Sequence, residues 1–171
     1  MTTNRHILSV LVENKSGVLA RISGLISRRG FNIHSLAVGE TEDPHVSRMT
    51  VTVDADDVAL EQVVKQLNKL VEVLKVVELD PLASVDRELL LVKVRADAGT
   101  RGAILETVQL FKARMLDVTA DSVTIESTGN ADKHRAMLEI LEPYGVKEIV
   151  KSGMVAISRG GRSITDRGGR H

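Results

Sequence analysis

Hydrophobic and polar positions alternate between two rhythms along this chain, and together they predict ten or so short elements. Ile7 to Val12 is apolar enough for a buried strand. Val18, Leu19, Ile22, Leu25 and Ile26 then recur at helical spacing, with Ser16 placed as an N-cap and Gly30 placed to end the helix. Phe31 to Val38 reads as a strand, and Gly39-Glu40-Thr41-Glu42-Asp43-Pro44 is turn chemistry. From Val46 to Val53, Met49, Val51 and Val53 alternate with Arg48, Thr50 and Thr52, the period of a half-buried strand. The acidic run Asp54, Asp56, Asp57 fits the start of a second helix better than a metal site, because Leu60, Val63, Val64, Leu67, Leu70 and Val71 follow as one apolar stripe. Val73 to Leu79 closes the set before Asp80-Pro81.

The second half repeats that order. Arg87 to Arg95 is a strand, and Ile104, Leu105, Val108 and Phe111 mark a helix. Met115 to Thr119 and Val123 to Glu126 are two strands joined by a tight turn. Met137, Leu138, Ile140 and Leu141 mark a helix, and Val146 to Val150 a closing strand. The pattern is an internal duplication of a β-α-β-β-α-β unit, an α+β chain of two ferredoxin-like units. The expected division is 5–80, a linker at 81–86, a second unit at 87–158, and a mobile Gly- and Arg-rich tail at 159–171. In each unit both helices fall on one sheet face, so the other face and an edge strand need covering. Side-by-side dimers would do this.

The first strand-to-helix turn, Glu13 to Leu19, carries the chemistry. The first N–H groups of a helix have no intrahelical acceptor and sit at its positive end, which suits a carboxylate. A Cβ at Gly17 would intrude on the space such a carboxylate needs. Asn14, and Asn32 at the start of the next strand, could accept hydrogen bonds from an ammonium. Together these groups suit the zwitterionic backbone of a free amino acid. Asn14 and Gly17 are equally good residues for a turn with nothing bound, and Asn32 for an exposed strand start.

Composition removes other classes. The 171 residues hold 23 basic and 23 acidic side chains, so no overall field draws the chain to nucleic acid or anionic lipid. Phe31, Phe111 and Tyr144 are the only aromatics, too few for a base-stacking sheet, and the core must be aliphatic. Cys is absent, and His6, His34, His45, His134 and His171 show no paired metal spacing, so no metal site is expected. No nucleophile triad, phosphate loop or dinucleotide fingerprint occurs, and the titratable groups do not cluster as an enzyme requires. Nothing reads as a signal peptide or a bilayer span, which makes a cytoplasmic protein the expectation.

Several stretches resemble the ACT domain of the small regulatory subunits of acetolactate synthase (acetohydroxyacid synthase). They are Ile7 to Leu19, Arg28-Arg29-Gly30-Phe31-Asn32-Ile33, Asp43-Pro44, Ser47-Arg48-Met49-Thr50 and Gln66 to Leu70. Arg87 to Val94, Asp117-Val118-Thr119 and Ser152 to Gly160 are similar to the remainder of that family. The resemblance implies a non-catalytic subunit of branched-chain amino-acid biosynthesis. It would bind and activate the large catalytic subunit and confer feedback inhibition by valine. Thiamine diphosphate, FAD and magnesium would sit on the large subunit, with no cofactor here. The effector would lie between two copies of a homodimer, held by Asn14, Gly17, Val18 and Leu19 of one and Asn32 and Ile33 of the other. The second unit has Arg95 to Gly102 where the first has Glu13 to Leu19, without the Asn, so it is expected not to bind the same amino acid. The alternative is a stand-alone ACT-type sensor that regulates a different enzyme.

Overall fold

The computed structural model describes residues 4–166. The first sheet contains β1 (Asn4–Glu13), β2 (Ile33–Glu40), β3 (Val46–Ala55) and β4 (Val73–Leu79), ordered β2-β3-β1-β4 and antiparallel throughout. Helices α1 (Val18–Arg28) and α2 (Asp57–Leu67) connect them. Leu8, Val10 and Val12 of β1 and Met49, Val51, Val53 and Ala55 of β3 form the floor of one core, roofed by Val18, Ile22, Ile26, Leu60, Val63 and Leu67 from the helices. Every one of these is aliphatic or Met, as the near absence of aromatics requires.

The second sheet repeats the plan. It is built from β5 (Ser84–Arg95), β6 (Arg114–Val118), β7 (Ser122–Gly129) and β8 (Val146–Lys151) in the order β6-β7-β5-β8, with α3 (Arg101–Leu110) and α4 (Ala131–Leu141) as the connecting helices. Its core is Leu90, Val92, Val94, Ile104, Val108, Val123, Ile125, Met137 and Leu141, with Ala96 beside them. Both units are therefore β-α-β-β-α-β and the chain is α+β, as the periodicity implied.

A last strand, β9 (Val155–Ser158), was not foreseen. The chain divides into one unit running to Val85 that also takes in the segment from Met154 onward, and another of Asp86–Gly153. Strand β9 pairs with β5, and beside it the Arg159 N–H donates to the Ala83 carbonyl at 2.8 Å. Ala156 buries against Ile7 and Leu79, with Met154 and Val77 around them. The face of the first sheet opposite the helices is thus covered in part by the chain itself. The rest of the segment continues as turns: Ser163 N–H donates to the Asp166 carboxylate at 2.7 Å, and the Lys75 ammonium to the Asp166 carbonyl. The remainder of the Gly- and Arg-rich tail, Arg167 onward, lies outside the described residues.

Helix starts correct two expectations. Ser16 does not cap α1; the N-cap position belongs to Gly17, which is left-handed at φ +85° and offers no side-chain bond. Of the acidic run, only Asp56 caps, accepting from Ala59 N–H at 2.8 Å. Asp54 instead meets Arg5 at 3.2 Å and His34. His6 is buried and satisfied, with Nδ1 2.7 Å from Glu78 and Nε2 3.1 Å from the Ala55 carbonyl. Among the described residues no helix is long and apolar enough to cross a membrane.

Asp56→Ala should cost about 1 kcal/mol in urea unfolding, the usual worth of a side-chain N-cap, whereas Asp54→Ala, which loses only exposed ion pairs, should cost less. Equal losses would show that the helix start is held some other way.

Candidate functional site

The turn after β1 owes its shape to three backbone facts. Asn14 N–H donates to the His45 carbonyl at 2.8 Å, which ties the strand end to the β2–β3 turn. Gly17 then takes the left-handed conformation that redirects the chain into α1. Arg21 N–H makes the first full helical bond, donating to the Gly17 carbonyl at 3.0 Å. Between them the N–H groups of Gly17, Leu19 and Ala20 have no acceptor among the described residues. A Cβ built on Gly17 meets nothing within 4 Å. The turn is an open bay with free N–H groups and the positive end of a helix behind it.

Asn14, at the start of this turn, has a fixed side-chain orientation. Its Nδ2 donates to Glu40 Oε1 at 3.1 Å and to the Pro44 carbonyl at 2.9 Å. Both partners are acceptors, so the amide group can be placed only one way round. The carbonyl Oδ1 is left over, free to accept from an ammonium. Glu40 is the residue that sequence reasoning missed here. It looked like turn chemistry, yet its carboxylate both orients Asn14 and adds negative charge where an ammonium would sit. Val18 turns its side chain into the core, so its offering to a ligand is backbone. Leu19 is 43% exposed on the outer side of α1, an apolar surface beside the bay.

Asn32 and Ile33 are elsewhere. Glu40 pairs with Ser47 and Ile33 with Val53, while Glu13 pairs with Val46. Asn14 therefore stands near one end of β3 and Asn32 beyond the other, about 30 Å apart along the strand at ~3.4 Å per residue. Within one chain they cannot touch a common amino acid. Strand β2 is an edge of its sheet. If two β2 edges pair antiparallel about a two-fold axis, the Asn32 end of one comes beside the Glu40 end of the other. The proposed residues then meet twice per dimer. His34 sits on that edge and is engaged with Asp54.

The second unit handles the same turn differently. Asp97 Oδ1 accepts from Gly99 N–H at 2.8 Å, Thr100 N–H at 2.9 Å and Thr100 Oγ1 at 3.2 Å. These bonds, from Thr100 and Gly99 above all, hold its carboxyl below the usual aspartate range. A carboxylate of the chain itself already uses donors at that turn. No group of three or more His, Asp or Glu side chains that could hold a metal occurs among the described residues.

Comparison with known proteins follows this division. Residues 8–75 match the family described as AHAS small subunit-like ACT domain, and residues 87–160 the family described as small subunit of acetolactate synthase. An acetolactate synthase small subunit from Mycolicibacterium smegmatis is 59% identical over 162 residues, covering 95% of each chain. One from Mycobacterium bovis is 57% identical over 164 residues, covering 96% of this chain and 98% of its own. The crystal structure of the acetolactate synthase small subunit from Thermotoga maritima superposes with a TM-score of 0.85 at 42% identity, covering 93% of this chain and 99% of that one.

The turn itself can be tested without any ligand. Gly17→Ala should leave the fold intact but cost about 1–2 kcal/mol in urea unfolding, the penalty of a left-handed L-residue. Ser16→Ala should change stability by less than about 0.5 kcal/mol. A Ser16→Ala loss as large as that of Gly17→Ala would restore Ser16 as the cap.

Proposed function

This chain belongs to the acetolactate synthase small-subunit family, and from that premise we propose that it activates the large catalytic subunit and makes it sensitive to a branched-chain amino acid, foremost valine. The observation that carries the effector reading is the open bay at Gly17, where free helix-start donors stand beside a fixed Asn14 carbonyl. The effector's carboxylate bonds the N–H groups of Leu19 and Ala20. Its ammonium is shared by Asn14 Oδ1, the Glu40 carboxylate and Asn32 of the partner subunit. Its branched side chain lies against Leu19 and Ile33 of the partner subunit. Two copies are needed because one chain cannot bring both Asn residues together.

In this reading the chemistry belongs to the large subunit, which carries the thiamine diphosphate, FAD and magnesium. The small subunit acts by differential binding: an effector that bridges two protomers favours whichever arrangement of the dimer closes the bay, and shifts the catalytic subunit with it. The purified chain should turn over no pyruvate, and should stimulate acetolactate formation when mixed with a matching large subunit. Turnover by the isolated chain, or no stimulation of the matching enzyme, would overturn the assignment; a sensor of another enzyme fails the second arm.

The shared site makes a sharper prediction. Asn14→Ala and Asn32→Ala should each raise the valine midpoint about tenfold to a hundredfold, the worth of one charge-assisted hydrogen bond of roughly 1.5–3 kcal/mol. Activation should survive in both. When the two variants are mixed to form hybrid dimers, each hybrid has one bay with both Asn residues and one with neither. Valine titration of the hybrid should therefore show a component with the unmodified midpoint. If hybrids respond no better than either variant alone, the effector is not bridged between copies.

A further inference from the structure

The face of the first sheet that β9 covers holds a cavity whose narrower part shares no residue with the Gly17 bay. Its narrower lobe, of about 330 Å³, lies between β4 and the segment after β9, with Val77, Leu79, Ile157 and Ile164 as apolar walls. Three cations line it, Arg48, Lys75 and Arg162, against one carboxylate residue, Asp166. A wider lobe of about 630 Å³ continues past Arg48 and Lys75 towards Leu11 and the β2–β3 turn, where Glu40, Glu42 and Asp43 line it, so the cationic part is the narrower lobe.

The state of those cations is the telling feature. Arg48 is half-buried, and burial draws its guanidinium below the usual arginine range while the field of Glu42 opposes this. Its Nε–H donates to Ser9 Oγ at 2.8 Å and one Nη2–H to the Ala156 carbonyl at 3.1 Å. Both acceptors are neutral. They occupy the side edge of the guanidinium and leave its end fork, Nη1–H and the second Nη2–H, without a protein acceptor among the described residues. Lys75 also bonds a neutral carbonyl, that of Asp166, whose carboxylate is spent on Ser163 N–H. None of the three cations forms an ion pair among the described residues. A half-buried guanidinium normally finds a carboxylate or an anion, and its planar fork matches two oxygens at once.

We propose that this cavity is a second ligand site, taking a small carboxylate with a short aliphatic body, its two oxygens on the free fork of Arg48. Lys75 and Arg162 add attraction from the rim, and Val77, Leu79, Ile157 and Ile164 receive the alkyl group. The site needs no ammonium on its ligand, which separates it from the Gly17 bay. Because the ligand would touch both the sheet and the segment after β9, binding also fastens that segment to the first unit.

The test is a titration of the full chain followed by amide NMR, with isobutyrate, isobutyramide and inorganic phosphate as probes. Isobutyrate should give saturable shifts centred on Ile157, Ser158, Ser163 and Ile164, unchanged by saturating valine, and isobutyramide should give none. Arg48→Lys, which keeps the charge and loses the fork, should weaken isobutyrate about tenfold or more. Lys75→Met, at a half-buried rim position, should weaken it severalfold without touching the bonds to Ser9 and Ala156. The proposal is overturned if isobutyramide binds as well as isobutyrate, if only phosphate binds, or if Lys75→Met leaves isobutyrate affinity unchanged.

Discussion

A helix whose first amides have no partner among the described residues is the constraint around which the first unit is arranged. Most proteins fill that position with a side chain, because leaving donors unbonded is costly wherever water is excluded. Here the N-cap is a glycine in a left-handed turn, and nothing from the fold reaches in. The stability given up locally is recovered in the aliphatic core under α1, where Val18, Ile22 and Ile26 pack on β1 and β3. A rigid floor holding an unsatisfied set of donors is what a preorganised small-molecule site requires, since the cost of ordering is met at folding and not at binding.

The duplication treats the turn before the helix in a second way. Both units have the same strand order and the same strand–turn–helix connection, yet Asp97 brings a carboxylate to the second turn and uses Gly99 and Thr100 N–H as its donors. Helix α3 itself begins, like α1, without a side-chain cap, so the two units differ in the turn before the helix and not at its first amides.

Legibility from sequence followed the physics of each feature. The helices and core strands were readable because periodicity reflects burial, and Leu8, Val10, Met49, Val51 and Leu60 are buried as their spacing required. Asp56 was readable as a cap within a run of three acids, but which acid would cap was not, because Asp54 found Arg5 and His34 across the sheet. Ser16 misled for a similar reason: propensity favours Ser as a cap, while the turn geometry demanded a positive φ one residue later. Glu40 was hidden because its role depends on the register of β2 against β3, which brings it to Asn14 from 26 positions away. Strand β9 is four residues long with exposed Val155 and Ile157, so no periodic signal could announce it; its pairing with β5 and the burial of Ala156 make it a strand.

That last element changes how the first sheet should be understood. A sheet with helices on one side exposes its other face, and the expected remedy is a second copy of the molecule. Here Ile7, Val77 and Leu79 are met instead by Met154 and Ala156 of the same chain, and Met154 N–H bonds Ser35 Oγ at 2.6 Å. A dimer is then free to form through the β2 edge, the geometry that would bring Asn14 and Asn32 together, without also having to bury the open face. Covering that face from within therefore removes a competing surface, and β2 remains an edge strand among the described residues.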